Sequence, residues 1–484
     1  MTGEIKRYWQ NYIAGERIDG GDGGCIAVEN PATLEPLAEI AEATETDIDA
    51  AVAAARGCVE TRVLIDMKPA KRLQMMLRVA AEIRAVAEEM VTTLCLDSGK
   101  RIVDARGEVE TAARYFEYYG GLADKIEGRS IPLGGGYVNY TLATPYGVSG
   151  QIVPWNFPLG IAARSLSVAL ATGNASVVKS PELAPLANCL LAEACERAGV
   201  PAGAANILCG YGTRAGAALA EHPDVNQLVF TGSIKTGQSI MLAAAERVVP
   251  TVMELGGKGA GVVYPDAVIE RVIASARNGI FRHGGQVCSA MSRLLVHESR
   301  HDEIVNGIAE MAQKLPIGPG IDDSDITPLI SANQLDRVEN YCLGAVQQGA
   351  EAVIGGRRLD DAVGHFMPPT IFTGIKPDMT IAQEEVFGPV LSVLRFREPE
   401  EAMSIANGTE YGLTAGVFTT DLDRALWSAE RLHAGQIFIN EWHAGGIETP
   451  FGGMKKSGFG REKGQEALLN YVQTKNVAIR IGLE

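Results

Sequence analysis

The sequence of 484 residues lacks the features of several common protein classes. Its eight cysteines show no Cys-x-x-Cys spacing and no histidine pairs at zinc-finger intervals, which argues against a metal site or a dithiol motif. No apolar run approaches the ~20 residues that a membrane-spanning helix needs, and the first residues do not resemble a signal peptide. These absences predict a cytoplasmic protein in a reducing compartment, with no metal and no membrane partner.

Positive charge is also scarce. Lys and Arg number 43 against 59 Asp and Glu, which gives a net charge of -16. An acidic surface repels a phosphate backbone, so nucleic acid is not expected as a partner. Hydrophobic residues make up 46% of the chain and charged residues 21%, which is typical of a globular enzyme of two or three domains.

Short β-rich runs alternate with helical patterns after a largely helical first hundred residues. This alternation is typical of parallel sheets with helices on both faces. A Gly-, Tyr- and Thr-rich segment at 130–146 predicts a protruding hairpin, and Asn476–Ile481 predicts an edge strand that pairs with a hairpin or another subunit. Strands are expected at Gly150–Val153, Ala175–Val178, Ala205–Leu208, Gln227–Phe230, Thr251–Leu255, Gly261–Val263, Arg293–Val296, Thr370–Thr373, Val390–Phe396 and Ala415–Phe418.

Two segments suit a nucleotide cofactor. Gly232–Ser239 nearly matches a phosphate-binding loop, but Gln238 stands where the lysine would be, which argues against ATP hydrolysis. Because this segment follows a predicted strand and begins a predicted helix, its backbone N–H groups can hold a pyrophosphate, and a dinucleotide is the better ligand. Lys179 and Glu182 at another strand end have two interpretations: contacts to a cofactor ribose, or two solvated charges.

Cys288 and Glu254 are the candidate catalytic residues. Cys288 follows Gly284–Gly285, and Glu254 precedes Gly256–Gly257. A thiol nucleophile and a carboxylate base, both framed by glycines that let a ligand approach the backbone, suit an acyl-enzyme mechanism. A cysteine alone is more often a small buried hydrophobic residue. A cysteine hydrolase or thioesterase without redox chemistry stays open as an alternative.

Seven motifs together resemble the NAD(P)-dependent aldehyde dehydrogenases over nearly the whole chain. In chain order they are Pro154–Pro158, Lys179–Glu182, Phe230–Ser233, Glu254–Lys258, Gly285–Cys288, Glu384–Pro389 and Pro450–Gly453. The resemblance implies an α/β fold with two Rossmann-type parallel-sheet domains and a β-strand oligomerisation arm in a homodimer or homotetramer. It places the NAD-binding domain at 1–129 and 147–255, the catalytic domain at 256–440, and the arm at 130–146 and 468–484, with 441–467 returning across the active site.

The resemblance also implies roles for individual residues. Cys288 attacks the aldehyde carbon, Asn156 and the Cys288 N–H hold the oxyanion, and Glu254 activates the water that hydrolyses the thioester. Glu462 resembles a second acid that relays protons. Glu182 favours NAD over NADP, because a carboxylate repels a 2′-phosphate. The residues expected at the cofactor are Trp155, Lys179, Glu182, Gly232, Ser233, Gly237, Leu255, Glu385 and Phe387.

Arg164, Arg282 and Phe451 are the residues expected at the substrate. In related enzymes the two arginine positions commonly hold apolar or aromatic side chains, whereas succinic semialdehyde dehydrogenases resemble this chain in having arginine at both. Two cations suit an anionic tail, so we expect a small carboxylated aldehyde. Two alternatives remain: an aromatic aldehyde, because benzaldehyde-type enzymes are similar at Arg164, and arginines that pair with a carboxylate such as Glu448 and only support the wall.

Overall fold

The structure is a computed structural model that describes residues 5–482. Residues 1–4 and 483–484, which the predicted NAD-binding domain and arm include, lie outside the described residues. The strands are β1 (Tyr8–Trp9), β2 (Asn11–Ile13), β3 (Glu16–Ile18), β4 (Cys25–Glu29), β5 (Pro36–Ala41), β6 (Tyr137–Pro145), β7 (Val148–Ile152), β8 (Ala175–Ser180), β9 (Ala205–Cys209), β10 (Gln227–Gly232), β11 (Thr251–Leu255), β12 (Ala260–Val263), β13 (Arg293–His297), β14 (Glu351–Ile354), β15 (Thr370–Thr373), β16 (Val390–Phe396), β17 (Thr414–Phe418), β18 (Gln436–Ile439), β19 (Gly458–Phe459) and β20 (Val472–Arg480). The helices are α1 (Glu45–Glu60), α2 (Pro69–Ala85), α3 (Ala87–Asp97), α4 (Ile102–Leu122), α5 (Pro158–Thr172), α6 (Leu186–Arg197), α7 (Ala217–Glu221), α8 (Ile234–Arg247), α9 (Ile269–Ala276), α10 (His301–Ala312), α11 (Ala332–Gln347), α12 (Thr380–Gln383), α13 (Pro399–Asn407), α14 (Leu422–Arg431) and α15 (Glu466–Leu469).

The first large sheet has eight strands in the order β19-β11-β10-β7-β8-β9-β2-β3. Its five central strands are parallel, and helices α1, α5, α6 and α8 contact them. The edge strand β19 comes from the returning segment and pairs antiparallel with β11, placing Gly458 opposite Glu254. The segment 441–467 is thus joined to the first sheet by backbone hydrogen bonds.

The second large sheet has seven strands in the order β14-β15-β16-β13-β12-β17-β18, all parallel except for β14. Successive strand residues enter different hydrophobic cores: Val262 and Leu295 belong to one, Val263 and Leu294 to the other. A parallel sheet covered on both faces requires this pattern, which explains why its central strands are rich in apolar residues. Among residues 5–482, no helix is long and apolar enough to cross a membrane.

The arm is a two-stranded antiparallel ribbon of β6 and β20. Their register runs from Tyr137 opposite Arg480 to Pro145 opposite Val472. The predicted terminal strand therefore exists. The predicted hairpin at 130–146 is short, closed by a single bridge between Ser130 and Tyr140, because most of β6 pairs with β20 instead.

Helix α5 connects the strand end at β7 to the protein interior. It begins with Pro158, whose missing N–H costs nothing in the first turn, and ends at Gly173, whose φ of 91° provides a left-handed cap. All fifteen of its residues are buried, as expected for a helix that is apolar around most of its circumference. This helix carries Arg164 into the core.

Candidate active site

A cavity of about 200 Å³ lies where strands β7, β10 and β11 end. Carboxyl ends of parallel strands share one edge of a sheet, so residues from distant motifs meet there. The cavity is lined by nine residues that the sequence singles out, and by Pro154, Thr231, Gly256, Gln334 and Arg337. The nine are Trp155, Asn156, Gly232, Ser233, Glu254, Leu255, Cys288, Glu385 and Phe387.

Cys288 lies in the loop that leads into β13, and close backbone packing fixes this loop. A Cβ on Gly285, whose φ is 71°, would collide with the Gly388 carbonyl, and one on Gly257 would collide with the Cys288 carbonyl. Both positions therefore require glycine. Burial raises the pKa of the Cys288 thiol to about 12, and the charges of Glu385 and Glu254 act in the same direction. The resting side chain is therefore the thiol.

Asn156 is held from two sides. Its side-chain amide donates a hydrogen bond to the Gln286 carbonyl at 3.0 Å, which ties it to the Cys288 loop. Its own carbonyl accepts one at 2.8 Å from the ammonium of Lys100. Lys100 is fully buried, pairs with Glu108, and lies 4.0 Å from the ring centre of Phe157. Such a network fixes the amide before any ligand arrives.

Glu254 lies at the end of β11 and is only 2% exposed. Neither of its carboxylate oxygens makes a hydrogen bond within residues 5–482. Burial raises the pKa of Glu254 well above its ordinary value, while the cation of Arg164 opposes the shift. The returning segment packs directly over it, because a Cβ on Gly452 would lie 2.8 Å from the Glu254 carboxylate. A buried carboxyl group with increased proton affinity is suited to act as a base.

Arg164, which is predicted to lie at the substrate, does not line the Cys288 cavity. Its Nε lies 2.6 Å from the Glu462 carboxylate, with side chains only 7% and 0% exposed. Its Nη2 donates at 3.5 Å to the hydroxyl of Thr231, the register partner of Glu254. Burial lowers the pKa of Arg164, but the Glu462 carboxylate raises it, and the net shift of the Arg164 pKa is upward. Arg164 is therefore one half of a buried ion pair, and its carboxylate partner is Glu462 rather than Glu448.

Arg282 lies outside the Cys288 cavity. It lines a neighbouring cavity of about 430 Å³ together with Trp442 and His443. Its Nε is 2.6 Å from Asp104, and its side chain is 38% exposed. Arg282 thus also pairs with a nearby carboxylate, which is the alternative that the sequence left open.

Glu385 and Phe387 form the wall opposite Trp155. The Gly257 N–H donates to the Glu385 carboxylate at 2.9 Å, and burial raises the pKa of Glu385 to about 7. Phe387 has a φ of 61° and an edge-to-face contact with Trp155 at 5.4 Å. A phenylalanine with positive φ is strained, so its neighbours must hold it in place.

The predicted pyrophosphate turn begins helix α8. Ser233 caps this helix by accepting the Thr236 N–H at 3.3 Å. A Cβ on Gly237 would lie 2.6 Å from the Leu255 side chain, so glycine allows the first turn to approach β11. The N-terminus of α8 thus lies beside the cavity that Gly232, Ser233 and Leu255 line.

Lys179 and Glu182 form an ion pair of 2.8 Å. Lys179 is 3% exposed, so the interpretation of two solvated charges is wrong for the lysine. Glu182 remains about a third exposed, with 34% of its side chain accessible.

Two lysines near these groups carry no motif signal in the sequence. Lys100 supports Asn156, as described above. Lys463 has a φ of 63° and places its ammonium 5.6 Å from the ring centre of Phe451. No spacing rule marks either residue; the only available signal for Lys463 was its place next to Glu462.

A thiol, a carboxyl group and an oriented amide around one cavity at the strand ends are the groups that covalent acyl transfer requires. The chain belongs to the aldehyde dehydrogenase family, whose sequence profile matches residues 18–477. This assignment confirms the family, the fold class and the enzyme class predicted from the motifs.

The similarity extends over whole chains. An aldehyde dehydrogenase of Aspergillus niger is 40% identical over 473 residues, which cover 97% of this chain and 95% of that one. The structure of an aldehyde dehydrogenase from Bacillus cereus in complex with NAD+ superposes with a TM-score of 0.97 at 39% identity, covering 98% of this chain and 97% of that one. Betaine aldehyde dehydrogenase from Staphylococcus aureus in complex with NAD+ gives 0.96 at 34% identity, covering 98% and 95%.

Proposed function

We propose that the protein oxidises a small anionic aldehyde to a carboxylic acid, with NAD as cofactor and Cys288 as the nucleophile. The observation that carries this proposal is that Cys288, Glu254 and Asn156 line one cavity together with the predicted cofactor residues. The Bacillus cereus relative, solved with NAD+, supports the choice of cofactor.

The described residues fit a dinucleotide. The capped N-terminus of α8 offers N–H groups to a pyrophosphate. The Glu385 carboxylate lies against the backbone at Gly256, where it can accept hydrogen bonds from ribose hydroxyls. Glu182 favours NAD over NADP, because its exposed carboxylate repels a 2′-phosphate. When bound, NAD accepts the hydride that leaves the substrate carbon.

The chain's own groups account for the remaining chemistry. The Cys288 thiolate adds to the aldehyde carbon, and the resulting oxyanion accepts hydrogen bonds from the Asn156 amide and the Cys288 N–H. After hydride loss the carbon is held as a thioester. Glu254 then removes a proton from the water that attacks this thioester, and the Cys288 thiolate leaves as the acid forms. Glu462, paired with Arg164, supplies a route for the proton beyond Glu254.

The anionic substrate class is the part of the proposal with the clearest test. We expect kcat/KM for succinic semialdehyde to exceed that for butanal by about tenfold or more, because charged hydrogen bonds contribute more than neutral ones. Reduced nicotinamide is measured for both aldehydes, with benzaldehyde to test the aromatic alternative and with NADP to test the cofactor preference. Equal values for the charged and neutral aldehydes would contradict the anionic class.

The cysteine hydrolase alternative makes a different prediction in the same assay. It would consume activated esters but produce no reduced nicotinamide from an aldehyde. One reduced nicotinamide per aldehyde consumed supports the oxidation.

We also infer that the protein is a homodimer or homotetramer. The β6–β20 ribbon presents exposed apolar side chains, Leu142 and Ile479 among them, and such a ribbon invites pairing. Light scattering should give a mass above that of one chain, and a monomer at micromolar concentration would contradict this inference.

A further inference from the structure

We propose that Lys463 binds the negatively charged end of the substrate while the aldehyde carbon lies at Cys288. This inference rests on the proposed function. It assigns to Lys463 the recognition of the anion that was predicted for Arg164. No family motif and no sequence pattern assigned a role to Lys463.

The returning segment places Lys463 close to the catalytic groups. Reciprocal backbone hydrogen bonds of 2.6 and 2.7 Å join Phe451 and Glu462. Gly452, the residue after Phe451, packs against the Glu254 carboxylate. Lys463, the residue after Glu462, turns its ammonium over the Phe451 ring at 5.6 Å. The segment that packs over Glu254 thus carries an aromatic ring and a cation.

Within residues 5–482, Lys463 differs from both arginines in having no carboxylate partner. Arg164 is paired with Glu462 and Arg282 with Asp104, whereas Lys463 forms no ion pair of 4.0 Å or less with any residue in 5–482. An unpaired ammonium in a partly dehydrated site binds a carboxylate more strongly than one already neutralised.

The charges around Lys463 come from several elements. Burial lowers the pKa of Lys463 to about 8, and Arg164 on α5 acts in the same direction. Glu448 in the loop before Phe451, Cys288 and Glu254 oppose this shift. Glu448 is itself 3.4 Å from Arg114 on α4. Lys463 is therefore a cation below about pH 8, and a substrate carboxylate would stabilise its charge.

His443 adds a polar group to the cavity that Arg282 lines. Its Nε2 is buried and has no hydrogen-bond partner within the described chain. Burial lowers the pKa of His443 to about 4, and the cations of Arg282 and Lys463 add to this effect. The neutral His443 ring can donate a hydrogen bond from Nε2 to an anion. It does so without adding a third positive charge to those of Arg282 and Lys463.

The test compares Lys463→Met with Lys463→Arg and with the charge-matched control Lys314→Met, at an exposed position just beyond α10. We expect the ratio of kcat/KM for succinic semialdehyde to that for butanal to fall about tenfold or more in Lys463→Met. The ratio should be largely kept in Lys463→Arg and unchanged in Lys314→Met. Succinate, as a competitive inhibitor of butanal oxidation, should bind Lys463→Met more weakly by a similar factor.

The pH dependence gives an independent measurement. The same ratio should fall in the parent protein as pH rises through about 8, because the lysine loses its proton. The ionisations of Cys288 and Glu254 are common to both aldehydes and cancel in the ratio. The Lys463→Arg protein should show no such fall.

The outcomes separate the two proposals. If none of the tested aldehydes supports NAD reduction by the parent protein, the proposed function is overturned. A parent that prefers the anionic aldehyde and keeps this preference in Lys463→Met overturns only the role of Lys463. Equal succinate inhibition of the parent and Lys463→Met also overturns it.

Discussion

Replacement of Cys288 by alanine is expected to lower aldehyde-dependent NAD reduction by about 10⁴-fold or more, because no other group can carry the covalent intermediate. Within the described chain, Cys288 is the cysteine that shares a cavity with Glu254 and Asn156. Initial rates of reduced nicotinamide formation at saturating aldehyde measure the effect. Mass spectrometry of the parent during turnover should show the acyl group on the peptide that contains Cys288.

Cys25→Ala is the matched control for this variant, because Cys25 is an exposed free cysteine on β4, a strand of a separate small sheet. Its activity should equal that of the parent. Circular dichroism should be unchanged in both variants, since Cys288 lies in a loop rather than in a packed strand or helix. Parent-like NAD reduction by Cys288→Ala would contradict the proposed nucleophile.

The raised pKa of Cys288 has a chemical consequence. Burial holds the resting side chain as a thiol, and a thiol is less prone to alkylation or oxidation than a thiolate. Attack on the aldehyde then requires removal of the thiol proton. This proton passes to solvent, and the Glu254 carboxylate acts only in the later hydrolysis of the thioester.

Most central strands of the two large sheets could be predicted from the sequence, whereas two strands at the edges of the second sheet could not. The prediction for Thr251–Leu255 matches β11, and that for Val390–Phe396 matches β16. Both strands have neighbours on two sides, and most of their residues are apolar and buried. The strands β14 and β18 were missed because they are short and partly exposed. An edge strand of this kind forms through its neighbour rather than through its own pattern.

The location of the site could be predicted from the order of the strands, but the ion pairs within it could not. Motif residues at the ends of parallel strands had to meet at one edge, so Glu254 and Asn156 converge. The partner of Arg164 depends on where the distant returning segment packs, and nothing in the sequence near Arg164 indicates Glu462. Charge pairs between remote segments are set by tertiary packing, which is also why Lys463 escaped notice.

Replacement of Glu254 by glutamine should separate the two halves of the reaction. We expect steady-state oxidation to fall by about 10² to 10⁴-fold, because thioester hydrolysis loses its general base. Hydride loss comes before hydrolysis, so a burst of up to one reduced nicotinamide per active site should remain. Rapid-mixing absorbance measures this burst, and intact-protein mass spectrometry should detect the acylated chain.

The buried position of Glu254 also fixes the sign of the pH effect. Its pKa is raised by burial, so hydrolysis in the parent should slow as pH falls through that pKa and the base becomes protonated. Glu254→Gln should lack this acidic limb, and added hydroxylamine, which needs no base to attack a thioester, should restore turnover. Glu310→Gln, at an exposed position on α10, should behave as the parent. Normal turnover by Glu254→Gln, without an accumulated thioester, would assign the base to another group.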